Sequence, residues 1–451
     1  MGSSKKVTVG YKYYLGVHMV LCHGPVDNVY AIDVDGKRAW SGTQTGGTIS
    51  ISAEGLFGGE SREGGVSGNV DIAMGRSDQM PNAYLQGRLG ADIPAFRGVV
   101  SAILNRVYIG LNPYLKAWAF WASRIHVRQG GLAQWYDAKA KIGEDMNPAH
   151  IIREVLTDPE WGMGYPETEV DDVSFAAAAD KLYAEGFGLS FLWDKSTAID
   201  DFLGEVVRHI DGSLFVGRDT GKFTLRLARA DYDPDDLITL DENSIEKIDD
   251  FKREALGELY NSVTAVFWDA STGRDNAVTV QDISLVAAQG AVIGTTVQYP
   301  GVTTPELAAR VANRDLRALS SPLASATIYA NRKAAALNVG DVFKLSWPRY
   351  GVTETVMRVT SIELGGLTSN AIRVNCIEDV FALGDAVFAP PPPTGWEDPN
   401  TPPLPCPYHS VIEAPYYEVV QRLGDTQAQA LDPNSAFVVA TGSRPAGSAV
   451  N

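Results

Sequence analysis

Cysteine is scarce in this sequence. Cys22, Cys376 and Cys406 stand far apart in a chain of 451 residues. Three cysteines are too few for a disulfide framework, and the sequence has no CxxC pair of the kind that binds zinc or does redox chemistry. This scarcity excludes a small disulfide-stapled domain and favours a reducing compartment.

Long apolar runs and a signal for export are missing too. Arg106, Lys116 and the Asn112-Pro113 turn interrupt the most apolar stretch, residues 98–122, which is therefore no membrane span. Leu21 stands where a lipoprotein signal needs a small residue before its cysteine. We expect a soluble protein.

Basic residues are outnumbered by acidic ones. The chain has 38 Lys and Arg against 55 Asp and Glu, a net charge of −17. A protein that grips nucleic acid needs clustered cations that replace counterions on the phosphates. The balance argues against such a protein, and it is compatible with a surface that repels DNA.

The order of predicted elements indicates a multidomain α+β protein, mainly of antiparallel β domains of barrel or sandwich type with an inserted helical domain. Asp35-Gly36 predicts a hairpin turn, Asn147-Pro148 a helix start and Asp158-Pro159 a helix end. Further helices are predicted at 171–186 and 197–211. The predicted divisions are an N-terminal β domain at 1–136, a helical α+β domain at 137–235, and a β domain at 236–388 with one helix at about 305–319 that packs with the N-terminal domain.

The last part of the chain changes in composition. Residues 389–407 contain nine prolines in nineteen positions and predict an extended, semi-rigid linker. Residues 408–451 then read as the start of a C-terminal β module, with its first strand in "YHSVIEAPYYEVVQRL". Because 44 residues are too few for an independent β domain, we expect the natural chain to continue.

His150 and Glu154 are the first residues to test as a site. They lie four positions apart on the helix that begins at Pro148, so their side chains share one face. A zinc site needs a third ligand, and no HExxH motif occurs. We expect both to lie at the solvated edge of the helix.

The best metal candidate is a weak calcium loop formed by Asp231, Asp233, Asp235 and Glu242. These residues occupy positions one, three, five and twelve of such a loop. Asp236 stands where the loop requires glycine, and strands, rather than helices, are predicted on both sides. An acidic turn is the preferred interpretation.

Other patterns carry little chemical information. His18, Cys22 and His23 lie in a predicted strand, where Cys22 and His23 would point to opposite faces. The glycine-rich "LFGGESREGG" lacks the order of a phosphate-binding loop, and no nucleophile motif is present. Acidic pairs such as Asp200-Asp201 and Asp249-Asp250 could serve a glycosidase but are common in an acidic chain. Trp118, Phe120 and Trp121 are more typical of core or interface than of a sugar platform. We predict no catalytic residue and no cofactor.

Several longer segments, in their order along the chain, resemble one family. They are "YLGVHMVLCHGPVDNVYAIDVDGKRAW", "LFGGESREGGVSG", "NPAHIIREVLTDPEWGMG", "VVRHIDGSLFVGRDTGKFTLRLARADYD" and "LNVGDVFKLSWP". Together they are similar to the tail hub proteins of long-tailed bacteriophages, the host-specificity-type proteins of the tail tip or baseplate hub. The resemblance covers about residues 7–388.

The resemblance implies a structural virion protein, not an enzyme. It would be made in the host cytoplasm and would form a ring, usually a homotrimer, at the distal end of the tail. Its partners would be the distal tail protein, the tape-measure protein, and tail fibres or receptor-binding proteins that serve host attachment. The genome would leave through the ring, so DNA would pass without specific binding. In this family the C-terminal β module is often fibronectin-like.

Two other functions stay open at the level of the sequence. A phage-associated enzyme that degrades cell-wall glycan would need carboxylates that converge in a cleft. A secreted carbohydrate-binding protein would need an export signal and an exposed aromatic platform.

Overall fold

The structure, a computed structural model, describes residues 11–193, 198–366, 370–382, 409–432 and 437–442. It divides into two compact units, Met1–Pro390 and Pro391–Asn451. The predicted linker at 389–407 lies outside the described residues. In the described part of the chain, no helix has the length and apolar character needed to cross a membrane.

The first unit begins with an antiparallel β region. Its strands are β1 Tyr13–His23, β2 Asn28–Val34, β3 Lys37–Gln44, β4 Gly47–Ala53, β5 Val66–Met74, β6 Val99–Gly110 and β7 Trp118–Ser123, with the short helix α1 Ala83–Leu89. One sheet has the order β1-β6-β5-β4 and the other β3-β2-β7. The predicted hairpin turn is confirmed, since Asp35 and Gly36 both have positive φ between β2 and β3.

This β region has its own hydrophobic core. The inward residues of both sheets, among them Val29, Ile32, Val70 and Leu104, are almost completely buried. Leu15 and the alternate residues that follow it on β1 pack against the same core. On the edge strand β4, Ile49 and Ile51 are buried and Ser50 and Ser52 are exposed, so the alternation of apolar and polar residues sets which face is buried.

The chain then becomes mainly helical. The elements are β8 Lys141–Ile142, β9 Asp145–Met146, α2 Pro148–Thr157, α3 Asp172–Glu185, α4 Ile199–His209, β10 Gly212–Val216 and β11 Phe223–Leu227. The Asn147 side chain caps α2 by accepting the Ala149 N–H, as predicted for this helix start. At its other end Asp158 accepts the N–H groups of Glu160 and Trp161, which forms the tight exit.

A second β region follows. Its elements are β12 Thr239–Leu240, β13 Ile245–Arg253, β14 Ser262–Asp269, β15 Arg274–Gln281, α5 Ile283–Gln289, β16 Gly294–Tyr299, α6 Pro305–Leu319, β17 Ala324–Ala330, β18 Val342–Trp347, β19 Val352–Glu363 and β20 Ile372–Glu378. Helix α6 has the predicted bounds. The larger sheet has the order β12-β18-β19-β20-β17-β13 and the smaller β15-β14-β16.

The two sheets of this region belong to different cores. The six-stranded sheet packs around Phe343, Met357 and Val374. The smaller sheet and α6 instead share one core with the preceding helices, in which Phe267 and Val311 lie with residues of α2, α3 and α4. The predicted domain boundaries remain predictions, but this shared core ties 137–235 to part of 236–388.

The second unit contains β21 His409–Glu413, α7 Tyr416–Leu423, α8 Asp425–Gln429 and β22 Val438–Gly442. Strand β21 pairs with β22 in antiparallel fashion. The prediction of one strand through "YHSVIEAPYYEVVQRL" is wrong after Glu413. Pro415 precedes a helix there, because Pro is suited to a helix start and "YYEVVQRL" has apolar residues at helical spacing.

The described elements therefore form a multidomain α+β protein. Most strand pairs are antiparallel, and the helical segment is inserted between two β regions. The fold class predicted from the sequence is confirmed.

Candidate functional site

His150 and Glu154 are buried, so the prediction that they lie at a solvated helix edge is wrong. The segment 124–137, which follows β7, covers this face of α2. His150 Nε2 lies 2.9 Å from the carbonyl oxygen of Tyr136, and its ring stacks on Trp135 at 4.9 Å between centroids. The sequence pattern of α2 alone could not reveal a cover supplied from another part of the chain.

The chemistry of this pair is that of a structural contact. Burial lowers the pKa of His150 to about 4, so its imidazole is neutral at pH 7 and Nε2–H donates to the Tyr136 carbonyl. Burial raises the pKa of Glu154, and the nearby Arg124 guanidinium opposes that rise. Arg124 Nη2 lies 2.6 Å from Glu154 Oε1. Each side chain is thus held by a partner from the covering segment.

Arg153, also on α2, forms ion pairs with residues outside this helix. Its guanidinium contacts Glu167 at 2.7 Å and Asp172 at 2.7 Å, and lies over the Trp135 ring at 4.5 Å. Burial alone would raise the pKa of Glu167, but hydrogen bonds from Arg153 and Arg128 hold it below its usual value. The sequence analysis did not predict these contacts, because the partners are 14 to 39 positions apart in the chain.

His209 forms a second buried contact between elements. Its Nδ1 lies 2.8 Å from the Glu205 carbonyl oxygen, and the Gly301 N–H donates to its Nε2 at 3.3 Å. The ring lies between Phe191 and Tyr299, 4.9 and 5.0 Å away. Burial lowers the pKa of His209 to about 4. The neutral imidazole therefore joins the end of α4 to the turn after β16.

The calcium candidates do not converge on one point. Asp233 caps a short 3₁₀ turn, Pro234–Asp236, and accepts the Asp235 N–H at 2.9 Å. Strands β11 and β12 flank the segment, as expected from the sequence. Across the described ranges, no group of three or more His, Cys, Asp or Glu side chains could hold a metal ion. The calcium site of Asp231, Asp233, Asp235 and Glu242 stays an untested prediction.

The other sequence candidates are spread over the fold. Asp200 and Asp201 lie in the first turn of α4, where the helix dipole favours negative charge. Asp249 and Asp250 belong to β13. His18 packs edge-on against Phe96 at 4.7 Å. The structure therefore brings none of these acidic pairs to the buried histidines described above.

The aromatic cluster on β7 belongs mainly to the first core. Trp118 stacks on Phe120 at 6.3 Å, and both pack against the core of the N-terminal β region. Trp121 donates its indole N–H to Asp33 at 2.8 Å and lies under the Arg38 guanidinium. The interpretation as core residues fits these contacts.

The glycine-rich loop 56–65 contributes to a charged surface cleft of about 430 Å³. Lys116 lies over the Phe57 ring at 4.2 Å and contacts Glu63 at 2.8 Å. Lys37 Nζ lies 5.6 Å from the centroid of the same ring. Three cations, Lys37, Arg62 and Lys116, and two carboxylates, Asp35 and Glu63, line the cleft, and Lys116 lies within 4 Å of both carboxylates. Most of the positive charge is thus compensated within the cleft itself.

Strand β1 forms one of the free sheet edges in the described part of the chain. Strand β1 ends the four-stranded sheet, and among the described strands it pairs only with β6. Tyr14 and Val20 on this strand are 56% and 67% exposed. Leu15 and Val17 point to the core of the N-terminal β region, and only the sheet order shows that the strand lies at an edge.

Solved structures of particle and tail proteins are similar to this chain. A chain from the virion of a native gene transfer agent particle is 18% identical, with a TM-score of 0.48 over 83% of this chain and 81% of that chain. The 43 kDa tail protein of prophage MuSo2 from Shewanella oneidensis is 12% identical, with a TM-score of 0.34 over 79% of this chain and 100% of that one. A tail protein from Neisseria meningitidis MC58 is 11% identical, with a TM-score of 0.36 over 81% and 97% of the two chains.

These identities and TM-scores are too low to support an argument about function. No curated protein sequence matches the chain. One family model does match, over a little more than a third of the chain. Residues 198–362, from the residue before α4 to the last residue but one of β19, match the family described as "Putative phage tail protein".

Proposed function

We propose that this protein is a structural component of a phage tail and part of the virion. The observation that carries the proposal is the family match over residues 198–362. This stretch is central to the fold, because it contributes Val206, Val263 and Leu316 to the core shared with the helices, and Phe343 to the core of the six-stranded sheet. The match therefore concerns the body of the protein and not a peripheral element.

The buried polar groups support a scaffold. Arg124 and Glu154 connect the segment after β7 to α2, and His209 connects α4 to the turn after β16. Such contacts leave the side chains with partners in the folded protein and hold separate elements in one arrangement. A component that carries mechanical load between other proteins benefits from this rigidity.

At the finer level, we propose that the chain is the hub at the distal end of the tail. It forms a ring, a homotrimer, that closes the tail tube, contacts the distal tail and tape-measure proteins, and carries fibres or receptor-binding proteins. The resemblance of residues 7–388 to tail hub proteins motivates this assignment. The net charge of −17 suits a conduit through which DNA slides without adhering.

The location can be tested on particles from the source. An antibody against residues 1–388, labelled with gold and imaged by electron microscopy, is expected to mark only the distal end of the tail. The same antibody absorbed beforehand with purified protein is the control and should leave the particles bare. Label along the whole tail would support a tail protein and contradict the hub. Absence of label from intact particles, with label on host envelopes or in the medium, would contradict both.

A further inference from the structure

Three arginines line one cleft of about 320 Å³ in the first unit. Arg310 and Arg314 lie one turn apart on α6, and Arg229 belongs to the segment after β11. Residues four positions apart share one face of a helix, where two like charges cost stability unless an anion lies nearby. In a chain with a net charge of −17, this arginine cleft has the opposite sign to the molecule as a whole.

Arg229 is fully engaged by the fold itself. Its Nε and Nη2 lie 2.8 and 2.9 Å from the two carboxylate oxygens of Glu185. Its Nη1 donates to the carbonyl oxygens of Ile210 and Ala228. The Arg229 guanidinium is therefore fixed in place, and it contributes charge to the cleft but few free donors.

Arg314 is engaged only in part. Its Nη1 donates to the carbonyl oxygen of His209 at 2.7 Å, and its Nη2 lies 3.2 Å from the Tyr299 hydroxyl and 3.4 Å from Asp315 Oδ1. A guanidinium has five N–H groups. Two of those of Arg314 are left for a further acceptor.

Arg310 is the least engaged of the three. Its Nη1 donates to the carbonyl oxygen of Glu185 at 2.7 Å, and its guanidinium lies 5.8 Å from the centroid of the Phe187 ring. Among the described residues no carboxylate contacts Arg310, including Glu306 one turn earlier on the same helix. Arg310 is also exposed, so most of its N–H groups can bind a ligand. A guanidinium binds a carboxylate through two parallel hydrogen bonds.

Apolar side chains complete the lining of the arginine cleft. Phe187 and Val311 are buried there, and Phe381 is half-buried. A matching ligand therefore combines an anionic group with an apolar body. Nucleic acid does not fit this description, because its regularly spaced phosphates need a longer row of cations than one cleft on an acidic chain supplies. A polypeptide segment in which Asp or Glu stands beside an aromatic or aliphatic residue does fit.

We propose that the arginine cleft binds an acidic segment of another protein of the particle. A carboxylate of that segment pairs with Arg310 and Arg314, and an apolar neighbour packs beside Phe187 and Phe381. The inference rests on the proposed function for the presence of other proteins beside this chain. It deepens that function by naming a contact surface and the chemistry of its partner.

The test uses the full chain and an array of immobilised heptapeptides. Each peptide has Glu or Gln at its centre, flanked on both sides by Phe, Leu, Tyr or Ser. Glu peptides with apolar flanks should bind at least about tenfold more tightly than their Gln or Ser-flanked counterparts, because hydrogen bonds between charged groups are stronger than neutral ones. Arg310→Gln should remove this preference for Glu. Arg349→Gln is the matched control, since Arg349 is exposed and does not line the cleft, and it should bind like the unchanged chain.

Two results would overturn the proposal directly. The first is equal binding of Glu and Gln peptides by the unchanged chain. The second is equal binding of the best Glu peptide by Arg310→Gln and Arg349→Gln. Circular dichroism must show native folding of both variants, and Arg314→Gln serves as the second cleft variant if Arg310→Gln misfolds.

Other sources of an anion are separated by competition and by sedimentation. Phosphate or acetate that displaces the best peptide as well as the free peptide does would overturn a polypeptide ligand. A DNA oligonucleotide that binds more tightly than the peptide, and is lost in Arg310→Gln, would overturn it as well. Self-association that Arg310→Gln abolishes would replace another protein by a second copy of this chain. Gold label at the tail tip without peptide binding would reject this inference and leave the hub function intact.

Discussion

Arg124 Nη2 lies 2.6 Å from Glu154 Oε1, and Arg124 Nε donates at the same time to the carbonyl oxygen of Pro25. One guanidinium thus connects the loop between β1 and β2 with the middle of α2. Asp27 reinforces the connection by accepting the N–H groups of Ile125 and His126. The N-terminal β region and the helical region are therefore held together through buried or half-buried polar contacts.

Removal of Arg124 should destabilise the protein strongly. Arg124→Ala leaves the buried Glu154 carboxylate without its cation, a change that costs about 3 kcal/mol or more in the free energy of unfolding. The loss should be smaller at pH 5 than at pH 7, because burial already raises the pKa of Glu154 and the unpaired carboxyl can protonate. Urea denaturation at the two pH values measures both effects.

Two variants serve as controls for this experiment. Arg124→Ala combined with Glu154→Gln should recover much of the lost stability, since no charge then remains buried. Arg253→Ala breaks the exposed contact to Glu378 and should cost less than about 1 kcal/mol. Equal losses for Arg124→Ala and Arg253→Ala would contradict the role assigned to the buried pair.

The two buried histidines should make the protein sensitive to acid. The pKa of His150 and that of His209 are both about 4 in the folded chain, below the usual 6.5. Between these two pKa values the unfolded chain binds more protons than the folded chain. The free energy of unfolding is therefore highest above pH 6.5 and decreases as the pH falls toward 4. Each histidine should cost about 2 kcal/mol at pH 5 relative to pH 7. Thermal melts at both pH values measure the sum.

A substitution can assign part of this effect. His150→Phe keeps a ring against Trp135 but cannot titrate, so the difference in Tm between pH 7 and pH 5 should shrink. His23→Gln, at an exposed position, should leave that difference unchanged. An unchanged difference in His150→Phe would show that the pKa of this histidine is the same in the folded and the unfolded chain, contrary to the prediction.

Local signals were sufficient for much of the fold. The Asp35-Gly36 turn, the Asn147 cap and the bounds of α6 all follow from residues close together in the sequence. The burial of His150 and Glu154 could not be predicted, since it depends on a covering segment some 14 to 30 positions away. The edge position of β1 likewise depends on the sheet order.

The incorrect prediction of a strand through "YYEVVQRL" has a different physical cause. The residues "YYEVVQRL" combine β-favouring Tyr and Val with a helical spacing of apolar positions, so propensity and periodicity disagree. In the structure periodicity prevails, and α7 spans Tyr416–Leu423. Pro415 supplies a helix start immediately before it.

Calcium should have little effect on stability. The Asp233 carboxylate already accepts a hydrogen bond from the Asp235 N–H. Among the described residues, no cluster of three potential metal ligands occurs. We expect the Tm in 1 mM calcium to equal the Tm in EDTA within about 1 °C, because a ligand stabilises only a folded state that binds it. A larger rise in Tm with calcium but not with magnesium, absent in Asp233→Asn, would support the calcium site considered from the sequence.

The shared core predicts how the chain can be divided. Helix α6 and strand β14 place Val311 and Phe267 in one core with the helices of 137–235. A fragment of residues 236–388 would expose these side chains, each worth about 1.5–3 kcal/mol when buried. It should therefore aggregate or melt without a cooperative transition, whereas a fragment of residues 124–388, which keeps the segment that covers α2, should melt cooperatively. Differential scanning calorimetry distinguishes the two results, with residues 1–136, which have a core of their own, as the positive control. Cooperative melting of 236–388 alone would instead establish the boundary at 235/236 expected from the sequence.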